Sequence, residues 1–99
     1  MSTVSDNKFI EKAAAAIGDR YRLAILLEIA QHGEIRCADV QALTGLAQAT
    51  CSHHLKLLGE SELICSRKEG KNHFFRLHQE NFSKISAFLA QLSAGLPVK

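Results

Sequence analysis

The sequence predicts a mainly α-helical domain that carries one small β-hairpin. Up to about residue 61, apolar residues recur at the period of amphipathic helices, and from 63 to 77 the period shortens to the two residues of a strand. The helical period then returns over 79–92. The chain has 99 residues, which favours one domain with a modest core.

Composition sets further limits on the class of protein. The chain is 46% hydrophobic and 22% charged, as in ordinary globular proteins, and its net charge is only +2. Any nucleic-acid binding must therefore rest on local positive charge. No apolar run approaches the roughly 20 residues of a membrane span, and the first eight residues lack the apolar stretch of a signal peptide. We therefore expect a cytoplasmic protein without membrane contact.

Two helices are predicted before the first break in the pattern. The first covers 7–17 and ends at Gly18, and the second begins after Asp19, a good N-cap residue, and continues to about Gln31. Four apolar side chains of the second helix are expected to point inward: Leu23, Leu26, Leu27 and Ala30.

A helix-turn-helix pattern follows. Residues 34–36 form a short extended piece, suited only to an edge strand. A third helix over 37–44 is expected to use Val40 and Leu43 as core contacts, and Gly45 ends it. The chain then turns within a few residues into a fourth helix over 47–61, and two helices joined by such a short turn define the pattern.

The fourth helix has two distinct faces. Its apolar face consists of Ala47, Cys51, Leu55 and Leu58. Its opposite face presents small, hydrogen-bonding and cationic side chains, a composition suited to base edges and phosphates in the DNA major groove. Taken alone, such a face also fits an ordinary solvated helix.

A basic hairpin and a last helix complete the chain. Two strands are predicted over 63–68 and 72–77, with residues 69–71 as a loop centred on Gly70. Arg67, Lys68 and Lys71 lie near this loop, where they could contact phosphates or merely keep an edge strand soluble. The last helix, 79–92, carries an apolar stripe. Helices followed by a helix-turn-helix and a basic hairpin make a winged helix-turn-helix.

Two segments carry a specific resemblance. The runs L-A-Q-A-T-C-S-H-H-L-K-L-L and L-I-C-S-R-K-E-G-K-N-H-F-F-R-L lie at family spacing within residues 17–77. In this region the chain resembles the ArsR/SmtB (arsenic-repressor) family of bacterial transcription repressors. The resemblance implies a homodimer that represses by occupying double-stranded operator DNA. The chain departs from the family pattern at Ala47 and Ala49, where relatives often carry serine.

The resemblance and the two faces together define candidate site residues. The candidate DNA contacts are Gln48, Ala49, Thr50, Ser52, His53, Lys56, Arg67, Lys68 and Lys71. Residues 1–99 form the single domain, and 7–17 and 79–92 are its expected dimerisation helices. The candidate dimer contacts are Phe9, Ile10, Ala13, Phe82, Ile85, Phe88, Leu89 and Leu92.

The signal that such a regulator senses is not evident from the sequence. Arsenic sensors of the family carry a Cys-x-Cys pair at the start of the third helix, and here Arg36 and Ala38 occupy those positions beside Cys37. The last helix lacks the imidazole and carboxylate pairs of the zinc sensors. We therefore expect no metal at either family site. We also expect no cofactor and no enzymatic activity, because the chain has neither a phosphate-binding loop nor a cluster of catalytic residues.

Two alternatives remain open at this stage. One is a thiol-, redox- or metal-responsive repressor with an atypical site, for which Cys65 and then Cys37 are the candidate residues. The other is a winged-helix protein-interaction module that has lost DNA binding. The inducer, whether a small molecule or a redox signal, is not predicted.

Overall fold

The computed structural model of the protein describes residues 7–95. Its element order matches the predicted order of helices and strands. The elements are α1 (Lys8–Ile17), α2 (Arg20–His32), β1 (Ile35–Arg36), α3 (Cys37–Thr44), α4 (Gln48–Glu60), β2 (Ile64–Glu69), β3 (Asn72–Leu77) and α5 (Gln79–Ser93). None of the helices in this part of the chain is long and apolar enough to cross a membrane.

The start of α2 is fixed by the predicted cap. The Asp19 carboxylate accepts hydrogen bonds from the backbone N–H groups of Tyr21 and Arg22, each at 3.0 Å. These donors have no partner within the helix, so the side chain satisfies them and sets where α2 begins. At the other end, Gly33 adopts φ 87°, a conformation that glycine tolerates and that ends the helix.

The inward face of α2 differs from the prediction. Ile25, Leu26 and Ile29 are buried, whereas Leu23 is 44% exposed and Leu27 is 63% exposed. Ala30 is exposed as well. Only Leu26 of the four predicted core contacts in α2 is therefore correct. The helix is apolar on more than one side, so periodicity alone could not identify the side that packs.

The helix-turn-helix is held by a compact turn. Gly45 takes the left-handed conformation at φ 73°. The Thr44 hydroxyl donates to the Val40 carbonyl at 2.8 Å and accepts from the Leu46 backbone N–H at 3.2 Å, which closes the turn between α3 and α4. Val40 is fully buried as predicted, but Leu43 remains 41% exposed and contributes little to the core.

The wing is a three-stranded antiparallel sheet in the order β1-β3-β2. The extended piece before α3 joins it through the pairs Ile35↔Phe75 and Arg36↔Phe74. The predicted hairpin is therefore correct but incomplete. Its loop is Gly70–Lys71, with Gly70 at φ 63°, a conformation that glycine adopts without strain in two-residue hairpin loops.

The outer helices divide between core and surface. Ala13 is 1% exposed and packs α1 onto its own protomer, which leaves almost none of its side chain for the predicted dimer contact. In α5, Phe82 and Ile85 pack against the core, whereas Leu89 and Leu92 are each 54% exposed. The molecule measures 45 × 22 × 21 Å and has a radius of gyration of 15.0 Å. A compact domain of this size has about 13 Å, so the fold is elongated.

Candidate nucleic-acid interface

The two faces of α4 separate in the structure as the sequence pattern indicates. Cys51, Leu55 and Leu58 are buried against the rest of the domain. The side chains on the opposite face are all exposed, namely Gln48, Ala49, Thr50, Ser52, His53 and Lys56. Ala47, predicted on the apolar face, is instead the exposed N-cap, because it precedes the first helical residue, and it provides no side-chain cap bond.

The character of this exposed face suits a polyanion. No carboxylate occurs between Gln48 and Gly59, and the charged side chain of this stretch is Lys56. Amide, hydroxyl and imidazole groups on the same face can pair with base edges, and the Ala49 methyl can contact a thymine methyl. The first nine residues of α4 therefore present no negative charge to a polyanion, and Glu60 in the last turn is the acidic residue of the helix.

The wing tip adds positive charge beside α4. Lys68 and Lys71 are exposed, and neither forms an ion pair with another residue of 7–95. Lys71 is the second residue of the hairpin loop, so its ammonium group is carried at the end of the sheet. Such lysines at a protruding loop are suited to phosphate contact.

Arg67, a predicted DNA contact, also forms contacts within the wing. Its guanidinium contacts Glu34 at 2.7 Å, pairs with Glu69, and lies 4.4 Å over the Phe74 ring. The hydrogen bond from Arg67 to Glu34, and to a lesser extent the one to Glu69, raises the pKa of the guanidinium above its ordinary value. These contacts tie Arg67 to the sheet and place two carboxylates beside its charge.

His73 is a candidate contact that the sequence reasoning missed. It is exposed in β3, directly opposite Lys68, and its ring packs 4.6 Å from the Phe75 ring. It also lines the groove between α4 and the sheet. The available signal was the strand period, which places the residue paired with Lys68 on the same side of the hairpin.

That groove has a volume of about 490 Å³ and an apolar floor made by Leu55, Ile64 and Phe75. Cys37, at the start of α3, lies at its edge with the sulfur 3.7 Å from the Ser52 hydroxyl oxygen. A thiol thus touches the face of α4 that is predicted to meet DNA, a contact that sequence spacing does not reveal.

Cys65 borders two cavities. It pairs with Arg76 across the hairpin and, with Arg76 and His78, borders a second cavity of about 780 Å³. Successive strand side chains point to opposite faces, so Ile64 and Ser66, which line the groove beside α4, face away from the Cys65 side chain. Cys65 also borders the groove that contains Cys37, so it lies between the two cavities.

The residues at the family's metal positions supply few ligand atoms. At the start of α3, Arg36 pairs with Asp39 at 3.7 Å and Ala38 has no ligand atom, which leaves Cys37 without a second sulfur. On α5, Glu80 pairs with Lys84 at 3.8 Å. Nowhere within residues 7–95 do three His, Cys, Asp or Glu side chains gather closely enough to bind a metal.

Three helices that support an exposed, base-compatible fourth helix, flanked by a lysine-tipped sheet, define a winged helix-turn-helix regulator. Comparison with known proteins agrees. A family model described as a helix-turn-helix domain matches residues 17–67. The chain is 33% identical over 84 residues to a cadmium resistance transcriptional regulatory protein CadC homolog of Staphylococcus aureus, covering 83% of this chain and 69% of that protein.

A second relative is the arsenical resistance operon repressor of Staphylococcus xylosus, 36% identical over 70 residues, covering 71% of this chain and 66% of the repressor. The fold also matches the homodimeric winged helix-turn-helix DNA-binding domain of Mb0332 from Mycobacterium bovis. The TM-score is 0.74 at 24% identity, covering 93% of this chain and 84% of that one. The chain belongs to the ArsR family of winged helix-turn-helix transcriptional regulators.

Proposed function

We propose that the protein is a homodimeric repressor that binds an inverted-repeat operator and lacks the metal sites of its family. The observation that carries this proposal is the outward face of α4. Every side chain on that face from Gln48 to Lys56 is exposed and none is a carboxylate, with Glu60 one turn later at the helix end. The wing adds two lysines that pair with no carboxylate of residues 7–95. These are the requirements for entering a major groove and holding the adjacent backbone.

The roles of the candidate residues follow from their placement. Gln48, Thr50, Ser52 and His53 are proposed to contact base edges, with the Ala49 methyl against thymine and Lys56 at a phosphate. Lys68 and Lys71 are proposed as the phosphate contacts of the wing, joined by His73. Arg67 supports the wing rather than contacting DNA, because Glu34 and Glu69 already neutralise it.

The proposed dimer uses the parts of α1 and α5 that the protomer leaves uncovered. Leu89 and Leu92 are about half exposed, and Phe9, Ile10 and Phe88 are only partly buried. Apolar side chains exposed along one projecting helix are typical of an interface. Support also comes from the homodimeric Mb0332 domain, which shares the fold. Phe82 and Ile85 pack against the core and contact a partner only with their remaining surface.

The proposed independence from metal distinguishes this chain from relatives named for cadmium or arsenical resistance. Thiophilic ions require two or three converging sulfurs, and Arg36 and Ala38 stand where the family's arsenic sensors carry cysteines. The chemistry available at the start of α3 is therefore an ion pair and one thiol.

The test is a binding titration with the purified dimer. A labelled duplex should carry two half-sites centred about 10 base pairs apart, the spacing of successive major grooves on one face of DNA. We expect affinity for this duplex to fall steeply with salt and to exceed affinity for a scrambled duplex. Zinc, cadmium or arsenite should change the dissociation constant by less than about threefold, or ~0.6 kcal/mol.

Several outcomes count against the proposal. Equal, salt-insensitive binding to operator and scrambled DNA would favour the protein-interaction alternative. Release of the operator by one of these ions would disprove metal independence but leave the DNA-binding assignment intact.

A second candidate, a thiol-responsive repressor, is favoured by the contact between Cys37 and Ser52. Oxidation or alkylation of Cys37 enlarges the side chain against a proposed base-contacting residue. If this candidate is correct, a thiol-alkylating reagent releases operator DNA from the wild type and from Cys65→Ser but not from Cys37→Ser. If all three proteins keep the operator, Cys37 has no sensing role.

A further inference from the structure

Arg22 joins three helices through a single guanidinium group. Its Nε donates to the Ala16 carbonyl at 2.7 Å and its Nη2 to the Ala15 carbonyl at 3.3 Å. Its Nη1 lies 3.3 Å from Nδ1 of His54. The two carbonyls belong to the last turn of α1, whereas His54 lies on α4 next to His53 of the proposed DNA-binding face.

His54 is the buried member of this contact, with a relative exposure of 9%. The α2 segment places three titratable groups beside its ring. They are Arg22, the Asp19 carboxylate at 3.9 Å from Nδ1, and the Tyr21 ring at 5.8 Å. On its own helix the neighbouring ring is that of His53 at 6.4 Å. α1 meets this cluster through its backbone carbonyls.

The hydrogen bond has a chemical requirement. A guanidinium has only donors, so Nδ1 of His54 must accept, and in the neutral ring the proton must then be on Nε2. Protonation of Nδ1 removes the acceptor and places two cations 3.3 Å apart. The Asp19 carboxylate, 3.9 Å from the same nitrogen, is the anion available to the imidazolium.

We propose that Arg22 is a positioning residue that fixes α4 against α1 through neutral His54, so that protonation of His54 lowers operator affinity. The inference rests on the proposed function, since it takes α4 as the DNA-reading helix and α1 as part of the dimer. In a dimer the spacing of the two α4 helices must match the DNA, so a small rotation of α4 against α1 costs affinity at both half-sites.

Other histidines near the DNA have the opposite effect. His53 on α4 and His73 on the wing are exposed, and their protonation adds positive charge that strengthens binding. The effect of His54 must therefore be measured against a variant in which only this ring is replaced. His54→Asn is suitable, because an amide oxygen can accept from Arg22 near the position of Nδ1 but does not titrate.

The experiment measures operator affinity from about pH 8 to about pH 5.5, the range in which histidines titrate. The ratio of wild-type to His54→Asn affinity is expected to fall roughly tenfold or more over this range. Arg22→Met should weaken operator binding at about pH 8. The ratio of Arg22→Met to His54→Asn affinity should change less with pH than the ratio of wild-type to His54→Asn affinity. Circular dichroism and sedimentation at each pH confirm folded dimers, so that a loss of stability alone is recognised.

A measurement on the wild type keeps the inference testable if a variant fails to fold. Nitrogen NMR of the free dimer should show the His54 proton on Nε2 at about pH 8, and α4 amide shifts should titrate together with that ring. A proton on Nδ1 at that pH, or an affinity ratio independent of pH, overturns the proposal. If the wild type fails to bind any operator at about pH 8, the proposed function fails instead.

Discussion

At the scale of single residues, Asp19 serves two helices. Its carboxylate caps α2 and lies 3.9 Å from His54 on α4. The pKa of Asp19 is held below its ordinary value of 3.8, chiefly by the hydrogen bond from the Arg22 backbone N–H and also by the Arg22 charge, against a smaller opposing effect of desolvation. The ionised form is therefore the one that stabilises the fold.

This predicts a pH-dependent loss of stability in Asp19→Asn. Asparagine is also a good N-cap, so the substitution removes the charge while keeping a cap. A depressed pKa contributes stability above the ordinary pKa, and this contribution is lost as pH falls through the folded-state value. The wild type should thus be more stable than the variant near neutral pH. The difference should shrink as pH falls below 3.8 and disappear below the lowered folded-state pKa of Asp19.

Urea unfolding at a series of pH values measures this difference. Glu11→Gln, which neutralises an exposed carboxylate in the first turn of α1, provides the matched control. Its free energy of unfolding should stay close to that of the wild type at every pH. A difference between wild type and Asp19→Asn that persists unchanged at low pH would show that the charge of Asp19 is not the cause.

At the scale of elements, the wing is a supported arm with charge at its end. Arg67 reaches from β2 over the Phe74 ring of β3 to Glu34, just before β1, and so ties all three strands together. Lys68 and Lys71, by contrast, keep their positive charge available at the tip. Support and phosphate contact are therefore assigned to different residues of the same hairpin.

Two alanine substitutions separate these roles. Lys71→Ala should reduce the steepness of the salt dependence by about 0.9 in log–log slope for each phosphate that the protein no longer neutralises, in both protomers of the dimer. Arg67→Ala should weaken binding while leaving that slope nearly unchanged, because it removes a neutralised cation and frees two carboxylates near the DNA. Affinity measured at several salt concentrations gives both quantities. A slope that falls equally in both variants would restore Arg67 as a phosphate contact.

At the scale of the whole molecule, the elongated shape comes with an α5 whose far end is poorly covered. Its first half is anchored by Phe82, Ile85 and the Asn81 amide, which donates to the Glu62 carbonyl at 2.7 Å. The second half extends past this anchor with Leu89 and Leu92 half exposed. We attribute this exposure to the proposed interface with a second protomer.

Two leucine-to-glutamate substitutions test that attribution. Leu92→Glu should produce monomers and weaken operator binding, because it places a charge in the proposed interface. Leu27→Glu is the matched control, since Leu27 is 63% exposed but lies on α2, outside that interface. Sedimentation velocity reports the oligomeric state. Monomers from Leu27→Glu and dimers from Leu92→Glu would move the interface to α2.

The sequence predicts the elements of this fold well but not the pairings between distant side chains. Helix and strand periods, the Asp19 cap and the two faces of α4 depend on local pattern, and they are confirmed except that Ala47 is exposed. The predictions for Leu23 and Leu27 are wrong because α2 is apolar on more than one side. The bonds of Arg67 to Glu34 and of Arg22 to His54 join residues more than thirty positions apart, a separation that periodicity cannot bridge.

The position of β3 in the sheet has a consequence for how the chain folds. Because β1 precedes the helix-turn-helix and β3 follows it, the pair Ile35↔Phe75 encloses α3 and α4 in a closed loop of chain. The entropy of closing that loop must be met before the pair forms, so the two-residue turn of the hairpin assembles earlier and β1 docks late. In deuterium exchange, the amides of β1 should therefore exchange before those of the β2–β3 hairpin. The pairing between β1 and β3 then opens while the hairpin itself remains formed.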